Sequence, residues 1–414
     1  MTDHSGGDDS SAWYSRRRYL QISAAVTAGL AGCTGGGGSD VTDGGSDGSD
    51  GSSDGSDGSA DGSDGSSSDG SDSSSGDGSA SSGMRTSLLT AEGSSTVYPI
   101  SNTGASYWVS NAPPSDGEYW GSNEESTVPG WEDLGEPDMK IADYFASLYG
   151  FEPTDQRSKP PFVVNVGLSH SGTGCKAVVD ELVDIGNSSG PITAELDWSE
   201  EKRDEEVVDH VVGRDGQPVV VSKDIYDAGI TELTGEQVRQ IYFGEITNWS
   251  EIGGPDQEIF CIGRATGSGT ATSFRINMLQ DENADTPGVD TREGQNQGVR
   301  QLVQNNNGAI AYMALAFTGE EVQPIAINFD GTVYRPDKDA ENTIFDSDYP
   351  LNRDLHMYTK ITDDAPDGTS IKEAAFLNMF LTEFGQVRFV EDNNYIPLPT
   401  SDIEAESEKL PDQA

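Results

Sequence analysis

Four short polar segments carry the residue types in this chain that could do chemistry. Arg264-Ala265-Thr266-Gly267-Ser268-Gly269-Thr270 sets a guanidinium three residues ahead of a Gly-Ser-Gly-Thr turn and runs into helical spacing from Ala271 to Leu279. Ser171-Gly172-Thr173-Gly174-Cys175-Lys176 precedes a second helical run, Ala177 to Leu182. The other two are Glu92-Gly93-Ser94-Ser95-Thr96-Val97-Tyr98-Pro99 and Asp184-Ile185-Gly186-Asn187-Ser188-Ser189-Gly190-Pro191. Glycine lets backbone N–H groups approach a ligand, hydroxyls donate hydrogen bonds, and a helix N-terminus carries roughly half a positive charge. Arg264 adds a full charge whose planar fork grips two oxygens at once. Together these groups describe an oxyanion site.

Asp184 is the odd member of that set. A carboxylate in an anion site costs affinity unless the ligand donates a proton to it, which hydrogen phosphate can do and sulfate cannot. Its expected role is therefore discrimination between those two. A hydrolytic reading would make Ser268 a nucleophile, but a nucleophile elbow needs glycines two residues before and after the serine, and here they flank it directly. The four histidines, His4, His170, His210 and His356, lack metal-ligand spacing. The expectation is a binding protein and not an enzyme, with no cofactor and no metal.

The elements that must position these segments alternate between strand and helix. Pro218 to Val221 reads as a strand, and Thr234 to Gln237 has capping-box spacing before a helix through Val238, Ile241 and Tyr242 that stops at Gly244. Gly298 to Val303 predicts a short helix, Ala309 to Met313 a buried strand, and Ile371 to Phe384 a helix closed by Gly385. This pattern predicts α/β layers.

Composition sets the location. The 414 residues hold 72 Asp and Glu against 24 Lys and Arg, a formal charge of -48. Such a surface repels nucleic acid, which is excluded as a partner. In molar salt the Debye length falls to roughly 3 Å, so the excess serves hydration, as in a halophile. Residues 1–33 combine Arg16-Arg17-Arg18 with a short apolar run ending in Leu30-Ala31-Gly32-Cys33, which reads as a twin-arginine export signal with a lipobox and lipidation of Cys33. Residues 34–83 are almost wholly Gly, Ser and Asp, the composition of a disordered tether. The expected place is outside the cell, anchored to the outer face of the cytoplasmic membrane. Cys175 and Cys261 carry no spacing information, so their pairing stays open.

The same residues resemble the phosphate-binding proteins of phosphate-specific ABC importers. Gly93 to Ile100 and Ser171 to Lys176 look like that family's first two phosphate loops, Asp184 to Ile192 like the stretch with its selective aspartate, and Arg264 to Thr270 like the loop from the other lobe. Leu233 to Gly254, Asn307 to Tyr312, Tyr349-Pro350-Leu351, Phe384-Gly385-Gln386 and Tyr395 to Leu398 extend the similarity. The resemblance implies a two-lobed, hinged periplasmic-binding-protein-like fold of type II, each lobe a mixed sheet flanked by helices. It places lobe one at 84–216 and 355–403, lobe two at 217–354, and an acidic tail at 404–414.

The implied ligand is inorganic phosphate, held by Ser95, Thr96, Ser171, Gly172, Thr173, Gly174, Asp184 and Ser188 from lobe one. Arg264, Gly267, Ser268, Gly269 and Thr270 would come from lobe two. The implied partners are the permease subunits of the importer, and the membrane through a lipid on Cys33. Sulfate, molybdate or tungstate binding is the alternative, with a secreted phosphate-ester hydrolase behind it. Two features depart from the family. Thr266 stands where many relatives carry an acid, so any brace on Arg264 must come from elsewhere. The stretch from Tyr107 to Pro161, with Trp108, Trp120 and Trp131, is longer than usual and reads as a surface elaboration, a cover for lobe one or a permease contact.

Overall fold

The computed structural model describes residues 88–113, 115, 116, 119 and 139–414. The export signal, Cys33, the tether, Trp120 and Trp131 lie outside them. Among the described residues no helix is long and apolar enough to cross a membrane.

Two five-stranded mixed sheets organise the chain. The first has the order β2-β1-β3-β13-β4, built from β1 (Leu89–Ser94), β2 (Val164–Ser169), β3 (Ile185–Ser188), β4 (Val207–Asp215) and β13 (Arg353–Lys360). Strands β1, β2 and β3 run parallel, while β13 lies antiparallel to both β3 and β4. The second sheet has the order β10-β5-β9-β7-β8, from β5 (Val219–Ser222), β7 (Phe260–Arg264), β8 (Thr291–Glu293), β9 (Ala309–Tyr312) and β10 (Val322–Pro324). A three-stranded sheet of β6 (Glu232–Thr234), β11 (Ala326–Phe329) and β12 (Thr332–Tyr334) extends the second lobe. The chain leaves the first sheet after Asp215 and returns at Arg353, so two crossings join the lobes.

The helices that matter for the site are α1 (Tyr98–Ser110), α2 (Ser171–Val179), α3 (Ile192–Leu196), α4 (Gly269–Phe274), α5 (Asn296–Asn305) and α6 (Ile371–Phe380). Strands β3, β5 and β9 are buried along their whole length, as expected where helices cover both faces. The capping box of Thr234 and Gln237 forms and opens a helix from Gly235 to Tyr242. Ser370 and Glu373 make another at the start of α6.

Several elements differ from expectation. Helix α2 begins at Ser171 itself and not after Lys176, so the second polar segment is a helical first turn. Helix α4 ends at Phe274 and continues as a wider π-helical turn from Arg275 to Leu279. Helix α6 stops at Phe380, because Leu381 leaves helical geometry, and the chain resumes helically through Gly385. The expected tail boundary falls inside a helix, Thr400–Ser407, whose Glu406 accepts from Val211 N, and Ala414 N donates to Leu148 O. Trp108 is fully buried, packs at a tilt against Phe162 and donates to its carbonyl, so it belongs to the core of lobe one and not to a surface elaboration. Cys175 and Cys261 are free and buried in different lobes, which settles their pairing.

Candidate functional site

Strand direction decides where the polar segments meet. The parallel strands β1, β2 and β3 all end at one edge of the first sheet, and β7 ends at the facing edge of the second. Ligands of open α/β sheets lie beyond such carboxyl ends. Ser95 and Thr96 follow β1, Ser171 follows β2, Ser189 follows β3, and Arg264 closes β7. All five are buried.

The lobes meet through these segments. Gly172 N donates to Gly267 O at 3.1 Å, Thr96 and Thr270 share a hydroxyl bond of 3.1 Å, and Ser273 Oγ donates to Ser189 O at 2.9 Å. Gly269 is glycine for a steric reason: a Cβ there would lie 2.4 Å from Ser171 Oγ and 2.8 Å from Gly190 N. Gly267 has φ +80°, which an L side chain rarely adopts. Ser268 is buried at the start of α4.

Arg264 is 2% exposed, and its three guanidinium partners are neutral. Nε donates to Glu293 O, Nη2 to Gly294 O at 2.8 Å, and Nη1 to Asn296 Oδ1 at 2.8 Å. The brace missing at Thr266 is therefore supplied by two carbonyls and an amide. Burial, with Arg353 as a like charge nearby, pushes the guanidinium down to about 10, so it stays cationic at neutral pH. Arg353, at the crossing into β13, pairs with Asp215 at 2.6 Å and reaches Thr96 Oγ1 and Ser189 O. Gln217, at the other crossing, donates to Thr270 O.

Four expected residues stand elsewhere. Asp184 precedes β3, at the opposite end of the sheet from Ser189. Its carboxylate accepts from Thr90 N and Oγ1 and pairs with Lys372 at 3.1 Å, so it cannot meet an ion in the cleft. Ser188 commits its hydroxyl to Gly190 O at 2.6 Å. Thr173 is exposed, because the helical turn from Ser171 points it outward. Gly174 lets α2 pack on the strands: a Cβ would sit 2.6 Å from Glu92 O, and its N–H is spent on His170 O.

Sequence reasoning missed Ser189, Asn296, Arg353, Asp215 and Glu195. Ser189 lay within a segment already singled out. Glu195, on α3, is the carboxylate that does lie beside the cleft, next to Gly172 and Gly190. Its Oε1 is buried without a protein partner, and burial raises its pKa against the pull of Thr272, Arg275 and Arg353. Asn296 and Arg353 are single polar residues remote in sequence, and carried no signal.

Known proteins similar to this one can now be set beside it. A family model described as a PBP superfamily domain matches residues 152–384. The phosphate-binding protein PstS of Bacillus subtilis is 28% identical over 242 residues, covering 58% of this chain and 72% of that protein. PstS of Staphylococcus saprophyticus is 26% identical over 264 residues, covering 60% and 76%. A solved structure from Clostridium perfringens, described as a phosphate ABC transporter substrate-binding protein with bound phosphate, superposes with a TM-score of 0.54 at 20% identity. It covers 76% of this chain and 100% of its own, and at that identity it speaks for the two-lobed fold. With the family model spanning more than half of its length, this chain belongs to the PBP superfamily.

Proposed function

We propose that this protein captures inorganic phosphate outside the cell and delivers it to the permease of a phosphate ABC importer. The observation that carries this reading is Arg264: a buried guanidinium whose hydrogen-bond partners are all neutral, one of which, Asn296, also bonds the lobe-one hydroxyls of Ser95 and Thr96. Burying an uncompensated charge costs several kcal/mol, and an anion between the lobes would relieve it. Ser95, Thr96, Ser171, Gly172, Gly267, Ser268, Gly269 and Thr270 remain the proposed ligand set, with Ser189 added and Thr173, Gly174, Asp184 and Ser188 removed. The phosphate-binding names of the relatives from Bacillus subtilis and Staphylococcus saprophyticus supply the choice of anion.

A lipid on Cys33 and the Gly/Ser/Asp tether of 34–83 would hold the domain at the outer membrane face, reached through the twin-arginine signal. The acidic composition supports life in molar salt, the haloarchaeal setting. One observation favours a second reading: Asp184 stands outside the cleft, so it offers no discrimination against sulfate, molybdate or tungstate. Calorimetric titration in molar potassium chloride with phosphate, sulfate and a phosphonate separates the two. Phosphate-selective binding that collapses in Arg264→Gln supports capture; no phosphate binding by folded protein refutes it.

A further inference from the structure

We infer that Asn296 is a positioning residue that sets the direction of the hydroxyl protons in the cleft, making Ser95 and the Thr96–Thr270 pair donors to a bound oxyanion. The inference rests on the anion reading above and names how that site recognises its ligand.

Asn296 is the first residue of α5 and is fully buried. Its Oδ1 accepts from Arg264 Nη1 at 2.8 Å and from Ala314 N at 3.1 Å. Both of these groups can only donate, so the amide cannot be flipped. Its Nδ2 therefore faces lobe one, where it donates to Ser95 Oγ at 3.0 Å and to Thr96 Oγ1 at 3.1 Å. Both amide hydrogens are then spent.

A hydroxyl accepts through two lone pairs and donates one hydrogen. Ser95 Oγ takes its second bond from Asn296 N at 3.3 Å, which fills both lone pairs. Its own hydrogen is left to be donated. Thr96 Oγ1 takes its second bond from Arg353 Nη2 at 3.4 Å, another group that can only donate. The Thr96 hydrogen goes to Thr270 Oγ1 at 3.1 Å, and the Thr270 hydrogen is passed on in turn. Beside Arg264 these hydroxyls thus offer protons, with both lone pairs of Ser95 and of Thr96 already filled. A tetrahedral oxyanion matches that polarity; a cation or a neutral amine does not.

Asn296→Asp tests this with little change of shape. It keeps an oxygen for Arg264 and Ala314, but its second oxygen would draw the Ser95 and Thr96 protons away from the cleft, and its charge would neutralise Arg264. Calorimetric titration of the full chain with phosphate should show a loss of about 100-fold or more, since a charge-assisted contact and two neutral donors are redirected. Ser95→Ala distinguishes orientation from mere packing: in the wild type it should cost about tenfold, and in the N296D background under about twofold. Asn296→Ala is the second background, and there the cost of Ser95→Ala should shrink to about threefold. If Ser95→Ala costs the same factor in all three backgrounds, Asn296 does not act through the hydroxyl and the inference fails while phosphate capture stands. If the wild type binds sulfate and not phosphate, the phosphate reading fails and the same cycle is read with sulfate. A wild type that binds neither overturns both.

Discussion

Gly269→Ala should separate lobe closure from the fold. The new methyl would lie 2.4 Å from Ser171 Oγ, 2.8 Å from Gly190 N and 2.9 Å from Ser171 Cβ. Ser171 could rotate its hydroxyl away, but its Cβ and the Gly190 backbone cannot move alone. Restoring ordinary separations of roughly 3.5 Å requires the lobes to part by roughly 1 Å. That movement strains the Gly172–Gly267, Thr96–Thr270 and Ser273–Ser189 bonds, which lie at 3.1, 3.1 and 2.9 Å. At about 1 kcal/mol each the loss is about 3 kcal/mol, or roughly 100-fold in anion affinity. The penalty exists only where the lobes touch, so the ligand-free thermal midpoint should hold. Gly172→Ala is the control, since its Cβ would meet the end of Glu195 at 3.2 Å and Gly267 Cα and O at 3.5 and 3.6 Å, the last two in ordinary contact. Calorimetric titration, with small-angle scattering to report closure, reads both variants. A Gly269→Ala protein that binds phosphate like the wild type would refute the steric argument.

The remaining expectations concern carboxylates. Asp184→Asn should leave the ratio of phosphate to sulfate affinity unchanged, because Asp184 serves Thr90 and Lys372 at the far end of the sheet; a changed ratio would put it back in the site. Glu195 has its pKa raised by burial where the lobes meet, so closing should take up protons, and lowering the pH through the raised value should favour closure. Glu195→Gln should abolish that uptake, measured as equal binding enthalpies in buffers of different ionisation heat. Glu373 is 8% exposed, and burial lifts its carboxyl from 4.5 to about 7. Its contribution to stability is full below pH 4.5 and lost as pH rises through 7, a penalty of up to about 3 kcal/mol at pH 8. Glu373→Gln keeps an acceptor for Ser370 N, so its thermal midpoint should exceed the wild type's at pH 8 and match it at pH 4.

The four polar segments were legible because glycine, hydroxyls and one arginine recur where strands give way to helices. Their aim was not. Asp184 and Ser189 stand in one short segment, yet a strand rising about 3.3 Å per residue carries them to opposite edges of the sheet. Only the direction of β3 decides which edge is the cleft. Thr173 and Gly174 were misjudged for a related reason: α2 begins at Ser171, and a turn of about 100° per residue sends those two positions to solvent and onto β1. Helix α6 was drawn four residues too long because apolar periodicity continues past Phe380, although Leu381 has already left helical geometry. Asn296 and Arg353 could not be found by spacing, since tertiary packing alone brings them to Thr96 from 200 and 257 residues away.

What unites these residues is that binding and closure draw on the same groups. Asp215, Gln217 and Arg353 belong to the crossings between lobes, yet Arg353 touches Thr96 and Ser189 while Gln217 holds the Thr270 carbonyl. A change of angle at the crossings therefore moves the donors themselves. With no anion, the meeting of the lobes buries Arg264 with neutral hydrogen-bond partners, and burial outweighs the pull of Glu293 and Asp215 on its charge, which is unfavourable in a low-dielectric interior. On the phosphate-capture reading, an oxyanion would interact with the joined lobes more strongly than with either alone. That difference in affinity is what a ligand needs to shift a two-state equilibrium toward the closed form. On that reading, the arginine that penalises empty closure is the same group that rewards occupied closure.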